Sequence, residues 1–103
     1  VNSKLTTIFI LSALALIFIF YISIPDGEQL IARLGCRQCH SINNQDGFSA
    51  PELSKSSKNR SYLWLRAQIK YPRGHNPNSP MPSYDYLSEV EIYSIIRYLR
   101  SNK

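Results

Sequence analysis

The first apolar stretch of the chain has no polar face. From Leu5 to Ile24 the sequence LTTIFILSALALIFIFYISI runs for 20 residues without a charge. Wound as a helix, such a segment is about 30 Å long, enough to cross the hydrocarbon core of a membrane. A cleaved export signal has an apolar region of only ~7–15 residues and ends in a small-x-small site. Here the run is longer, and Ile22, Ser23, Ile24 and Pro25 follow it. The pattern predicts a retained anchor over residues 1–25.

Beyond Pro25 the apolar positions become periodic. Asp26 is placed to cap a helix, with Glu28 near the positive end of its dipole. Leu30, Ile31 and Leu34 form its buried face, and the helix is expected to run on into Cys36–His40. Residues 43–51 are polar and glycine-bearing, a loop, and Ser54–Ser61 reads as a connector or short turn. A second helix is predicted over Tyr62–Lys70: Leu65 and Ile69 share a face under Tyr62, and Arg66 and Lys70 turn away. Tyr71-Pro72 ends it. The stretch PRGHNPNSPMP holds four prolines in eleven residues and is expected to be a stiff, irregular excursion, neither helix nor paired strand. Ser88 and Glu91 have capping-box spacing. After them Ile92, Ile95, Ile96 and Leu99 draw a helical stripe, with Arg97, Arg100 and Lys103 at its negative end. No repeat and no strand is predicted. The fold class is all-α: one transmembrane helix, then a small helical domain over 26–103.

Chemistry enters at Cys36-Arg37-Gln38-Cys39-His40, a C-x-x-C-H run and the pattern of covalent haem attachment. Two thiols on one turn add to the two porphyrin vinyl groups, and the adjacent histidine sits beneath the iron. A structural zinc site wants four ligands, and outside this run the chain offers only His75. A redox disulfide motif belongs near a βαβ pattern, absent here. A domain of this size buries little core unaided, and a haem supplies an apolar body to pack around. For the second axial position the candidates are Met81 and His75. Met81 lies between Pro80 and Pro82 in a polar loop, a poor place for a core filler, so the pattern points to Met81 ahead of His75. A thioether is soft and raises the potential.

These residues together resemble the small class I cytochrome c family over 26–103. Gly27-Glu28-Gln29-Leu30-Ile31 with Gly35-Cys36-Arg37-Gln38-Cys39-His40 resembles the family's first helix and haem site. Ala50-Pro51-Glu52-Leu53 resembles its proline loop, Met81-Pro82 its distal ligand motif, and Tyr98-Leu99 the pair by which the last helix crosses the first near Gly27 and Ile31. The resemblance implies one haem c bound through Cys36 and Cys39, iron ligands His40 and Met81, and a Pro51 carbonyl that accepts from His40 Nδ1–H. It also puts Trp64 and Tyr62 where some members reach the haem propionates, though either ring can equally be core. One departure is Ile31, where many members carry an aromatic; aliphatic packing should replace the ring contact.

Charge adds partners. Without Lys4 there are 11 Lys/Arg against 7 Asp/Glu, so the domain carries +4. Six of those cations fall between Lys55 and Arg73, with no acid between Glu52 and Asp85. They form either a solvated face or a docking face for an acidic electron-transfer partner. Nucleic acid is excluded for an exported, tethered domain. Lys4 against Arg33 and Arg37 does not decide orientation. Haem of this type is attached after export, which puts the N-terminus in the cytoplasm and the domain on the periplasmic, outer side of the cytoplasmic membrane. The expected function is single-electron transfer there, with no small-molecule substrate and no catalysis of its own. Partners would be the membrane and redox proteins such as a quinol-oxidising complex, a terminal oxidase or a reaction centre. The short linker favours a permanent haem subunit over a mobile shuttle. The competing classes are a haem sensor or peroxidase-type centre with a displaceable Met81, and a subunit whose haem is an idle stabiliser.

Overall fold

A computed structural model describes residues 2–101. Helix α1 spans Ser3–Ile22, two residues N-terminal of the predicted run, because the Asn2 side chain accepts from Lys4 N and caps it there. None of its residues is buried by the rest of the chain. A continuous apolar surface of that size is not stable against water; the helix has the length and composition to cross a membrane. It projects from the helical domain, so the molecule measures 63 × 27 × 24 Å.

Helix α2, Gly27–Leu34, starts where expected: Asp26 Oδ1 accepts from Glu28 N at 2.9 Å. It stops earlier than expected. Gly35 takes the left-handed conformation (φ 79°) and closes the helix, and Cys36–Gln38 form a separate 3-10 turn. A glycine just past the last periodic residue is a usual helix stop.

Helix α6, Glu89–Ser101, follows a reciprocal capping box in which Ser88 N donates to Glu91 Oε1 (2.9 Å) and Glu91 N to Ser88 Oγ (3.2 Å). Its Ile92, Ile95, Ile96 and Leu99 pack with Leu30, Ile31, Ile42, Leu65 and Leu87 into one core. Ile31 is fully buried there, the aliphatic contact expected in place of a ring. Arg100 serves a neighbouring loop: its guanidinium donates to the Arg60 and Ser57 carbonyls. Lys103 lies outside the described residues.

Helix α4, Tyr62–Lys70, has the predicted bounds, with Ser61 Oγ accepting from Trp64 N. Arg66 and Lys70 turn away from the Leu65 face, as expected, and meet a partner on α6. Arg66 makes two bonds to the Glu89 carboxylate (2.8 and 2.6 Å), and Lys70 Nζ lies 3.5 Å from it. These cations tie α4 to the first turn of α6.

Short elements stand in the stretches read as loops and connectors. Between Glu52 and Ser61 the short-turn alternative holds: helix α3, Leu53–Ser56, is followed by a 3-10 turn at Ser57–Asn59, and the Glu52 side chain caps α3 at Lys55 N. Helix α5, Pro72–His75, sits inside the proline-rich stretch. Pro72 holds its first position, where a missing N–H costs nothing. A two-residue hairpin, β1 (Ser41–Ile42) and β2 (Gln45–Asp46), turns at Asn43 and Asn44 with φ of 54° and 62°. Asparagine tolerates that left-handed region, and strands of two residues leave no periodicity to detect.

Candidate haem-binding site

The cysteine turn is fixed by backbone. Gln38 N donates to Gly35 O, and His40 N to Cys36 O at 3.0 Å. The following loop clamps the outside: Gly47 N donates to Arg37 O and Ala50 N to Cys39 O, both at 3.0 Å. A Cβ at Gly47 would lie 2.7 Å from the Gln38 oxygen and the Cys39 carbonyl carbon, so this approach requires glycine. The two thiols are not joined; Cys36 is half-buried against the core and Cys39 is exposed. Burial pushes the Cys36 thiol above its ordinary range, the nearby Arg37 charge offsetting only part.

His40 Nδ1 lies 2.7 Å from the Pro51 carbonyl oxygen. A carbonyl only accepts, so Nδ1 carries the hydrogen and Nε2 presents a lone pair. This is the tautomer a metal-binding imidazole needs. The Pro51 carbonyl is itself held. Ala50 is bonded to Cys39 O, and on the other side the Glu52 carboxylate accepts from Asn43 N and Lys55 N, each at 2.8 Å. Desolvation pulls the Glu52 carboxyl upward, but the donors at Lys55, Ser54 and Asn43 together keep it below its ordinary value.

Met81 is half-buried in its proline loop. Its backbone N–H donates to Ser79 Oγ, and its Sδ receives Gln68 Nε2 at 3.5 Å. The far side of the loop is pinned to α4: Ser83 Oγ donates to Lys70 O and Tyr84 N to Ile69 O. Tyr84 then spans to the cysteine side, its hydroxyl donating to Leu34 O at 2.9 Å. Its phenol is raised by burial first and by the adjacent Cys36 next. Tyr84 thus joins the methionine loop to the end of α2, just before the cysteines.

The two aromatic candidates part company. Trp64 and Gln68, four apart, share the α4 face turned to Met81. His75 stacks on Trp64 at 4.3 Å and 8°, and the Arg60 guanidinium lies 4.2 Å over the same ring. Tyr62, two positions from Trp64, points elsewhere: its ring lies 6.4 Å from Tyr93 on α6 and lines a groove of about 340 Å³ with Phe20 and Ile24. His75 is exposed but engaged: Nδ1 meets Gln68 Oε1 at 2.6 Å. Gln68 is the residue that sequence reasoning missed, a polar position on a helix with no spacing signal.

The donor chemistry fits a haem. Two free thiols on one turn, an imidazole with a free Nε2 and a half-buried thioether are the set for covalent attachment and axial ligation. Among the described residues no three His, Cys, Asp or Glu side chains converge, so a zinc site lacks its ligands.

Comparison with known proteins agrees. The family model described as Cytochrome c matches residues 24–103. The chain is 30% identical over 89 residues to a nitric oxide reductase subunit of Halomonas halodenitrificans, covering 75% of this chain and 57% of that protein. It therefore spans little more than half the length of the curated relative it matches. No solved structure matches it.

Proposed function

The chain belongs to the cytochrome c family, and we propose that it carries single electrons as a membrane-anchored haem-bearing subunit of a larger oxidoreductase complex. Cys36 and Cys39 would hold the haem through thioethers, and His40 Nε2 and Met81 Sδ would bind its iron. The haem, when bound, would supply an iron that gains and loses one electron. The chain's own residues do the rest. Pro51 O keeps the His40 ring in one tautomer and orientation. Gly47 lets the clamping loop close on the cysteine turn, and Tyr84 and Ser83 hold the methionine loop against α2 and α4. Trp64 flanks the distal side, whereas Tyr62 supports the docking of α4 on α6.

The observation that carries this reading is the 2.7 Å hydrogen bond from His40 Nδ1 to Pro51 O. A half-buried histidine with no ligand to bind has no need of a tautomer locked by a braced carbonyl. The anchor sets the place of action. Only Ser23 to Asp26 separate α1 from α2, which keeps the domain at the membrane surface; attachment of this type of haem after export supports a cytoplasmic N-terminus with the domain outside. That restriction raises the effective concentration of membrane partners. The similarity to a nitric oxide reductase subunit makes a complex of that kind the first partner to test, ahead of a quinol-oxidising complex, a terminal oxidase or a reaction centre.

The test is an absorption spectrum of the detergent-solubilised protein and its Met81→Ala variant, oxidised and reduced, with and without carbon monoxide. The wild type should show a sulfur-to-iron charge-transfer band when oxidised and no carbon monoxide shift when reduced; the variant should lose the band and bind carbon monoxide. A wild type without the band that binds carbon monoxide readily would overturn electron transfer in favour of a ligand-binding haem.

A further inference from the structure

Gln68 stands between two side chains that together decide its orientation. A thioether sulfur accepts and never donates, so the end of the Gln68 amide at 3.5 Å from Met81 Sδ is the NH2. Its oxygen then faces His75 Nδ1 at 2.6 Å, and an amide oxygen only accepts, so Nδ1 bears the hydrogen. The imidazole is held in turn by its stack on Trp64, parallel to within 8°. His75 and Met81 lie on either side of Gln68 and do not need to touch. The core face of α4 is carried by Leu65, with Tyr62, Trp64 and Ile69 packed beside it, and Gln68 is not among these residues.

We propose that Gln68 and His75 are positioning residues that set the redox potential: His75 orients the Gln68 amide, and the amide N–H donates to the second lone pair of Met81 Sδ. The inference rests on Met81 being the axial ligand. A thioether has two lone pairs, one for iron and one free. A hydrogen bond to the free pair draws electron density from sulfur and makes it a weaker donor. Ferric iron loses more by this than ferrous iron, so the contact raises the potential. It also limits rotation of the methionine side chain and slows loss of the ligand. His75 acts only through Gln68, by preventing the amide from turning its oxygen toward the sulfur.

The experiment is redox titration of the holoprotein with its charge-transfer band recorded for Gln68→Leu, His75→Phe, the double variant, His75→Asn and Met81→Ala. His75→Phe keeps an aromatic ring for Trp64 and removes the donor. His75→Asn restores one near the Nδ1 position. Gln68→Leu should lower the midpoint and shift the band, His75→Phe should lower it less, and His75→Asn should recover part of the loss. The double variant should match Gln68→Leu alone, because a relay has nothing to add once its last member is gone. Wild-type midpoints in both single variants would overturn the proposal. So would a double variant whose shift is the sum of the two, since His75 would then act by its own charge. If leucine at 68 disturbs α4, the exposed His75→Phe and His75→Asn pair still decides: equal midpoints overturn the proposal. Met81→Ala separates the two readings. A spectrum and midpoint unchanged in that variant would remove Met81 as ligand, whereas a lost band with silent Gln68 and His75 variants would sink only the relay.

Discussion

Gly27 on α2 and Ser94 on α6 meet backbone to backbone: a Cβ added to Gly27 would lie 2.2 Å from the Ser94 carbonyl oxygen and 2.9 Å from Tyr98 Cβ. No side chain stands between the two helices at that point. Since α2 leads through Gly35 directly into the cysteine turn, this crossing holds the helix from which that turn departs.

Gly27→Ala should therefore destabilise the protein, although alanine is the better helix former. The obstacle is a backbone carbonyl, which cannot rotate aside, so the helices must separate. Overpacking of this kind costs about 1–3 kcal/mol. Thermal unfolding of the holoprotein followed by circular dichroism should give a lower Tm. A Tm at or above wild type would mean that the crossing is loose.

The same crossing hides a polar group. Ser94 Oγ is buried and has no hydrogen-bond partner among the described residues. Removing an unsatisfied hydroxyl lifts its desolvation penalty, of order 1 kcal/mol. Ser94→Ala should be as stable as wild type or more so in denaturant titration. A clear loss of stability would show that the hydroxyl is satisfied by bound water.

What could be read in advance was local. The Asp26 cap, the Ser88–Glu91 box and the bounds of α4 each follow from residues within four positions of one another, and all three hold. Gly35 directly follows Leu34, the last periodic residue, and the helix expected to run on into Cys36–His40 ends at this left-handed glycine. The family motif pointed to the His40–Pro51 pair, whose members are 11 residues apart. Other contacts carry no mark in the sequence. Arg66 finds Glu89 from 23 residues away, and Gln68 finds Met81 from 13. Such pairs exist only because the chain folds α4 against α6 and lays the proline loop over the other side of α4. Helix α5 leaves no pattern for a different reason: it is four residues long and opens on Pro72, at the one helical position where proline breaks nothing.

The Arg66–Glu89 contact predicts an acid response. Its hydrogen bond with Arg66, with the Arg66 and Lys70 charges behind it, lowers the Glu89 carboxyl from the ordinary 4.5 to about 2. A carboxyl depressed in the folded state adds stability above its unfolded value and loses it as pH falls through the folded one. The contribution is thus full above about 4.5 and gone below about 2. Glu89 is exposed, so screening keeps the effect modest and salt-sensitive. In Tm measured against pH, Glu89→Gln should approach wild type across that window and lie below it above the window. Parallel curves would show that the pair contributes nothing.

Glu52 offers a test of the proximal side with the opposite sign. Its carboxylate caps α3 and takes Asn43 N–H, and so braces the loop that presents the Pro51 carbonyl to His40. A hydrogen bond from Nδ1–H makes the imidazole a stronger donor through Nε2 and favours ferric iron. Glu52→Ala frees the Lys55 N–H, leaves the Asn43 N–H with Ser54 Oγ alone (3.0 Å) and loosens the carbonyl. The donor strength of His40 should fall, and the midpoint potential should rise. Stability should drop as well, by about 0.5–2 kcal/mol for the lost cap. Redox titration beside denaturant unfolding separates the two effects. Glu52→Gln, which keeps one accepting oxygen, should lie between wild type and alanine on both scales. A potential that stays fixed while stability falls would confine Glu52 to capping, with Pro51 held by the Ala50–Cys39 bond alone. A potential that falls would contradict the donor argument itself, because a weakened bond at Nδ1 cannot make the imidazole a better ligand for ferric iron.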